Sequence, residues 1–161
     1  MKESIENKVH MIISYHPPIF QGLKRLTSAS WKERIVIQCL EKQIALYSPH
    51  TVWDSVANGT SEWLARSLPI TSIIPAIPHA TNQSFGAGRI CQVDGALTLR
   101  DAIERIKKYT NLKDVRVAVS LNGNLDSTIK SFACCPGEIR SLNIEKANNF
   151  LPILKDRELP F

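Results

Sequence analysis

The chain has 161 residues, 43% of them hydrophobic and 22% charged, with a formal net charge of +5. This length suits one domain of ordinary size, and the composition is typical of a globular protein and excludes a disordered one. No apolar run is long enough to span a bilayer, and the polar opening with Glu3 and Glu6 argues against signal and transit peptides. We therefore expect a cytoplasmic protein without a membrane partner.

The positive charge and the cysteines each exclude a class of function. Basic residues are scattered among acidic ones and are not interleaved with aromatic residues, as a single-strand binder requires. We therefore expect solvated helix faces and no direct nucleic-acid partner. The cysteines, at positions 39, 91, 134 and 135, form no C-x-x-C pair. Their pattern predicts buried, reduced thiols and disfavours a disulfide framework or a zinc–thiolate site.

The first third of the chain predicts a strand–helix–strand unit. The apolar, β-branched run Val9–Ser14 predicts a buried strand, and Ile44–Tyr47 predicts a second strand. Between them, Ser30–Glu33 has the form of a capping box, and apolar residues at helical spacing predict a helix over Trp31–Gln43. The right-handed crossover rule makes the two strands parallel.

The rest of the chain predicts a second lobe with further helices and strands. In chain order the predicted elements are a helix at Gly59–Leu68, a linker or long loop at Pro69–Ala87, a strand at Gly88–Val93, a helix capped by Thr98, and a hairpin of Val115–Leu121 with Thr128–Cys134. The predicted fold is therefore α/β, with a mixed sheet around a parallel strand–helix–strand core. Two lobes are joined by the linker at about 69–87.

Two predicted strand ends carry the side chains best suited to chemistry. His16 follows the first strand, and His50 and Asp54 follow the second. Groups just beyond the carboxyl ends of parallel strands converge on a shared crevice, where ligands bind. Neutral imidazole with carboxylate suits zinc, iron or manganese. From spacing alone the alternative is favoured, in which His16 caps a strand end and the other two residues shape a loop.

Other possible sites are weaker. The sequence Gly86-Ala87-Gly88 is too short for a phosphate loop, and no Gly-Lys-Ser/Thr follows it. Cys134 and Cys135 lack a motif that would mark a nucleophile, so burial is the favoured interpretation. The tryptophans are predicted to lie in the core and not to form a cofactor box; they are Trp31, Trp53 and Trp63.

Both histidine motifs resemble those of the Nif-three-like family, also catalogued as type-two GTP cyclohydrolase-one homologues. The motifs are Ser14–Phe20 (SYHPPIF) and Tyr47–Asp54 (YSPHTVWD). Asn58-Gly59 and Trp63-Leu64-Ala65 follow the second motif at the family's spacing. Later segments match in the family's order, so the resemblance covers about residues 9–137.

The resemblance implies an α/β domain that holds a pair of divalent metals in a crevice, often within a ring-shaped homo-oligomer. His16 matches a ligand histidine, Asp54 matches a bridging aspartate, and His50 matches a histidine beside the metals. Tyr15 stands where many members have the first of two adjacent histidines, which resembles the eukaryotic branch. A short eukaryotic form with one ligand fewer is therefore expected.

The ends of the chain depart from the family pattern. The family's His-x-x-x-Glu motif has no counterpart after Gly137, and the helix and strand that precede the first motif are missing. These departures imply an incomplete family domain over 1–137. The remaining segment, 138–161, is expected to be a weakly ordered tail outside the family.

Two functions remain open. The first is a metal-dependent, hydrolase-like protein in which His16 and Asp54 hold a zinc, iron or manganese ion, bound weakly because ligands are missing. Such an ion polarises a substrate oxygen or generates hydroxide from water. The second, which the name of the family that the chain resembles implies and the missing His/Glu pair favours, is a non-catalytic protein that binds other proteins in transcription, with the nucleus as a second location. In both cases homo-oligomers and protein partners are expected, and the substrate is unknown.

Overall fold

The computed structural model describes residues 1–136, and they fall into two compact units. The first unit is Met1–Val52, and the second begins at Trp53. The predicted division at a linker over 69–87 is therefore wrong. Of the helices described, none is both long and apolar enough to cross a bilayer. The segment 138–161, predicted to be a weakly ordered tail, lies outside the described residues.

The first unit contains a two-stranded parallel sheet. Strand β1 (Met11–Ile13) pairs with strand β2 (Ala45–Tyr47). Helix α2 (Trp31–Glu41) connects the two strands, and the short helix α1 (Lys2–Glu6) precedes them. The predicted parallel strand–helix–strand unit is confirmed, with each element slightly shorter than its sequence pattern.

Helix α2 begins at the predicted capping box. The Glu33 N–H donates to the Ser30 hydroxyl oxygen at 3.1 Å, and the Glu33 carboxylate accepts from the Ser30 N–H at 3.4 Å. These bonds satisfy N–H groups that the first turn of a helix leaves without partners. The Thr27 hydroxyl donates to the same carboxylate and lowers the pKa of Glu33 below its usual value.

The predicted burial of the first strand is wrong in part. Met11 and Ile13 are 49% and 58% exposed, and Ile12 between them is half-buried. Side chains alternate across a strand, so one face of β1 lies open within the described part of the chain. Helix α2 likewise buries Cys39 but leaves Leu40 exposed.

The second unit contains a three-stranded antiparallel sheet in the order β3–β4–β5. Its strands are β3 (Ile70–Pro78), β4 (Gly86–Thr98) and β5 (Thr128–Cys134). The remaining helices are α3 (Thr51–Ser55), α4 (Thr60–Ala65) and α5 (Leu99–Thr110). The unit boundary falls inside α3.

The core of the second unit is formed by α5, the end of α4 and the inner face of the sheet. Thr98 caps α5 as predicted, in a second capping box with Asp101. Leu99, Ala102 and Ile106 of α5 are buried, and Ile103 is partly buried. The buried cluster comprises Ala65, Leu68, Cys91, Leu97, Leu99, Ala102, Ile106, Ile129, Phe132 and Cys134.

Strand β3 occupies about half of the segment predicted to be a linker, and β4 begins within its last residues. Pro75 and Pro78 lie within β3, and both residues weaken a sequence-based strand prediction. The sheet order explains why β3 accommodates the two prolines. Strand β3 is an edge strand, so N–H groups on its outer side have no neighbouring strand to bond. The linker prediction over Pro69–Ala87 is therefore wrong.

The predicted hairpin is also wrong. Strand β5 pairs with β4, and Val115–Leu121 forms no strand in the structure. Val117, Val119 and Leu121 are exposed. The predicted partner, Thr128–Cys134, pairs with the central strand β4 along one edge, and Val115–Leu121 does not join its other edge.

Candidate functional site

The histidine motifs of the first unit follow the carboxyl ends of its two parallel strands. The Ser14 N–H donates to the Tyr47 carbonyl at 2.9 Å, and the His50 N–H donates to the Tyr15 carbonyl at 3.1 Å. These bonds continue the parallel pairing beyond the ends of β1 and β2. His16 and His50 are therefore held at the same edge of the sheet, as parallel order requires.

Four rings gather at this edge and form what we call the ring cluster: Tyr15, His16, Phe20 and His50. The centroids of the His16 and His50 rings are 5.6 Å apart. The Tyr15 ring lies edge-on to both, at 4.9 and 5.9 Å, and the Phe20 ring lies edge-on to His50 at 5.7 Å. His50 is half-buried and His16 is exposed. The structure thus brings together the two predicted histidines.

The backbone of His50 adopts an uncommon conformation. Its φ angle is +46°, in the left-handed region that residues other than glycine rarely adopt. Its N–H bond to the Tyr15 carbonyl holds it there, and the Ser14 hydroxyl donates to the His16 carbonyl at 2.7 Å. Conformations of this kind cost about 1–3 kcal/mol and cluster at ligand sites, which makes the ring cluster a candidate site.

The donor set of the ring cluster suits a divalent transition metal ion. Imidazole nitrogens bind zinc at about 2.0–2.1 Å, and the spacing of the rings lets each turn a nitrogen toward one ion. Tight protein sites use three or four ligands. Among residues 1–136, the structure places no group of three or more His, Cys, Asp or Glu side chains together for a metal. The cluster therefore fits a weakly held ion.

Asp54 belongs to the second unit, where α3 carries it. Its side chain is buried, with 8% exposed, which is uncommon for an aspartate. The Ser61 hydroxyl donates to the Asp54 carbonyl at 2.6 Å. A Cβ at Gly59 would lie 2.0 Å from the Trp53 carbonyl oxygen, so glycine is required where the chain turns after α3. The carboxylate therefore sits on a closely packed backbone.

The residue whose role the sequence did not reveal is Arg89, a fully buried arginine on β4. Its Nε donates to a Glu62 carboxylate oxygen at 3.1 Å, and its Nη1 donates to the carbonyls of Gly86 and Gly88 at 2.7 and 2.8 Å. Its Nη2 donates to two carbonyls at the end of α3. The signal in the sequence is a charged residue inside the apolar strand pattern Gly88–Val93.

Two thiols near this region, those of Cys134 and Cys135, have raised pKa values and are held in their neutral form. A hydrogen bond with Cys91 and burial both raise the pKa of Cys134. Burial and the nearby charge of Asp54 raise the pKa of Cys135. All four cysteines are unbridged, and three are buried while Cys135 is half-buried, which confirms the prediction of reduced thiols for those three.

The predicted core positions of the tryptophans are wrong. Trp31, Trp53 and Trp63 are all substantially exposed. Trp63 packs its ring against Tyr109, with centroids 5.3 Å apart. The sequence pattern placed these side chains on the apolar faces of α2, α3 and α4. In the structure, the described residues cover those faces only in part.

Comparison with known proteins shows the family. Residues 1–149 match the family described as Duf34/NIF3 (NGG1p interacting factor 3). The chain belongs to this family. The predicted resemblance is confirmed, and it extends beyond the predicted 9–137. The NIF3 match includes residues 138–149, so the prediction that this stretch lies outside the family is wrong.

Similar proteins carry the same family name in distant organisms. The chain is 38% identical over 143 residues to NIF3-like protein 1 of Drosophila melanogaster, which covers 88% of this chain and 48% of the relative. It is 29% identical over 137 residues to the GTP cyclohydrolase 1 type 2 homolog of Clostridium perfringens, which covers 85% of this chain and 51% of the relative. The chain thus spans about half the length of these curated NIF3 relatives.

Solved structures share the fold. A hypothetical protein of Staphylococcus aureus superposes with a TM-score of 0.70 at 23% identity, covering 90% of this chain and 58% of that one. A Bacillus cereus protein related to NIF3 superposes with a TM-score of 0.66 at 17% identity, covering 85% and 63%. These likenesses confirm the predicted α/β fold class of the NIF3 family.

Proposed function

We propose that this NIF3-family protein binds a divalent metal ion, zinc, iron or manganese, through the imidazoles of His16 and His50, with Asp54 as a carboxylate ligand. The observation that carries the proposal is the ring cluster, in which both histidines meet at the carboxyl ends of β1 and β2. The reaction type follows the hydrolase-like character implied by a relative named GTP cyclohydrolase 1 type 2 homolog. The substrate stays open.

Each residue of the cluster has a separate task. His16 and His50 supply neutral imidazole nitrogens, and the edge contacts of Tyr15 and Phe20 restrict how the His50 ring can turn. A divalent ion bound there supplies Lewis-acid polarisation of a substrate oxygen or of water. Because His16 is exposed, a substrate can reach the cluster from solvent.

The proposal implies weak binding. Two imidazoles and one carboxylate make three ligands, the lower limit of the three or four that tight sites use. After soaking in Zn²⁺ or Mn²⁺ and desalting, the protein should retain well under one equivalent of metal. Retention of two ions per chain by a monomer would contradict this ligand count.

Substitution of the histidines tests the proposal. Cobalt(II) titration, followed by visible absorption, should show binding by the wild type that falls about 100-fold or more in His16→Ala and in His50→Ala, because losing a ligand costs more than the roughly 10- to 100-fold lost with a ligand's supporting residue. His10→Ala is the matched control, because His10 is exposed and lies outside the ring cluster. Equal cobalt affinity in all four proteins would contradict the proposed site.

A further inference from the structure

The end of helix α3 depends on donors from other elements. The last four carbonyls of a helix have no intrahelical partner, so a helix of five residues needs outside donors for most of its carbonyls. The Ser61 hydroxyl binds the Asp54 carbonyl at 2.6 Å. Arg89 Nη2 binds the carbonyls of Ser55 and Val56 at 3.1 Å each. Side chains of α4 and β4 therefore hold the backbone at Asp54 and immediately after it.

Arg89 is itself fixed on its other side. Its Nε pairs with Glu62, and its Nη1 binds the carbonyls of Gly86 and Gly88 at the start of β4. All five N–H groups of the guanidinium are thus used. Because the guanidinium is a rigid planar fork, its contacts with β4 fix the direction of the contacts that it makes with α3.

Glu62 ties the loop between α3 and α4 to the same arginine. Its second carboxylate oxygen accepts the Asn58 N–H at 2.9 Å and lies 3.4 Å from Arg66 Nη2. Arg66 also donates to the Asn58 side-chain oxygen at 2.6 Å. Asn58 has a φ of +59°, a conformation that these bonds hold. The segment that follows Asp54 is therefore held at both of its ends.

From these contacts we infer that Arg89 and Glu62 are a positioning pair for Asp54, which fixes the backbone that carries the carboxylate. The inference rests on the proposed function, in which Asp54 is a metal ligand. Neither residue supplies a ligand atom in this role, because both act through the backbone of α3 and the loop after it. A binding site must hold its ligands to within about 0.5 Å, so a loosened α3 weakens metal binding with the donor set unchanged.

The test compares substitutions that loosen α3 with one that loosens the core elsewhere. Arg89→Lys keeps the charge beside Glu62 but has three donors in place of five and no planar fork. Ser61→Ala removes only the donor to the Asp54 carbonyl, and it keeps the inference testable if Arg89→Lys does not fold. Ile129→Ala is the control, because Ile129 lies in the sheet core and contributes nothing to the α3 hydrogen bonds. Asp54→Asn removes the carboxylate itself.

Each protein, as the full 161-residue chain, is titrated with Co²⁺ alone and melted in parallel. We expect Arg89→Lys to lower cobalt affinity about 10- to 100-fold, as supporting residues of metal ligands do, and Ser61→Ala to lower it less. Ile129→Ala should lower the melting temperature and leave cobalt affinity at the wild-type value. The cobalt absorption spectrum of Arg89→Lys should keep the wild-type shape at saturation, because the donor set is unchanged.

The outcomes separate this inference from the proposed function. Unchanged cobalt binding in Asp54→Asn would remove Asp54 from the ligand set, and the positioning role would fall with it. Weakened binding in Asp54→Asn, with wild-type binding in Arg89→Lys and Ser61→Ala, would overturn the positioning role alone. Equal weakening in Ile129→Ala and Arg89→Lys would show an effect of general stability and would also overturn it.

Discussion

Asp101, in the cap of helix α5, links the stability of the second unit to pH. Its carboxylate accepts the Thr98 hydroxyl at 2.7 Å, and that bond lowers the pKa of Asp101 below its ordinary value of 3.8. A lowered folded-state pKa means that the bond stabilises the fold above the unfolded pKa and is lost as pH falls through the folded pKa. We expect Asp101→Asn to lose less stability than the wild type on acidification below about pH 4. Thermal melts followed by circular dichroism across this range check the prediction.

The control for the acid melts is Asp114→Asn, because Asp114 has no part in the cap. Its loss of stability on acidification should parallel that of the wild type. The same parallel behaviour in Asp101→Asn would show that the cap contributes no pH dependence.

Single residues differ in how far the sequence could predict them. Ser30 and Thr98 are caps whose partners lie three residues away, so local sequence is enough to predict them. His16 and His50 required one further step, because parallel pairing brings strand ends together. The structural role of Arg89 could not be predicted, because it depends on partners that lie 27 to 34 residues earlier in the chain.

At the scale of elements, the turn into β4 depends on Gly86. Its φ is +150°, and an added Cβ would lie 2.1 Å from the Ile77 carbonyl oxygen of β3. We expect Gly86→Ala to lower the free energy of unfolding by about 3 kcal/mol or more, because the clash is with backbone and β3 must move. Urea unfolding followed by fluorescence measures this loss.

Gly95 provides the matched control for that substitution. It also has a positive φ, +72°, but an added Cβ meets nothing within 4 Å. Gly95→Ala should therefore lower the free energy of unfolding by only about 1–2 kcal/mol, the cost of the left-handed conformation. Equal losses in the two variants would contradict the proposed close approach of β3 and β4.

The elements that the sequence misplaced share one physical cause. Local pattern shows that a segment suits a strand, but it does not show which strand will pair with it. Val115–Leu121 has the stronger alternation, and yet Ile70–Pro78, with its two prolines, takes the edge of β4. The parallel pair was predictable because one helix joins its two strands and the handedness of the crossover is fixed.

At the scale of the whole molecule, exposed apolar strand residues favour self-association. Met11 and Ile13 of β1 and Tyr47 of β2 are exposed, and each strand has one unpaired edge within the described residues. An unpaired apolar edge is a template for association with a second copy. We therefore expect the protein to form oligomers or aggregates at modest concentration, which light scattering coupled to size exclusion detects.

A charged residue at the edge should suppress this association. Ile13→Lys places a lysine on β1 and should shift the protein toward the monomer. Leu40→Lys is the control, because Leu40 is exposed on helix α2 and not on a strand. If both variants shift the protein toward the monomer equally, the lysine acts through general solubility. A monomeric wild type would contradict the prediction.

The most direct test of the central claim observes the imidazole nitrogens during metal binding. The chain has four histidines, and only His16 and His50 belong to the ring cluster, while His10 and His79 are exposed elsewhere. Long-range ¹H–¹⁵N spectra of the labelled protein, recorded during a Zn²⁺ titration, report each ring nitrogen separately. We expect ring nitrogens of His16 and His50 to shift together and saturate at the same zinc concentration, with those of His10 and His79 unchanged. Uniform shifts of all four histidines, or no shift at His16 and His50, would contradict a metal site at the ring cluster.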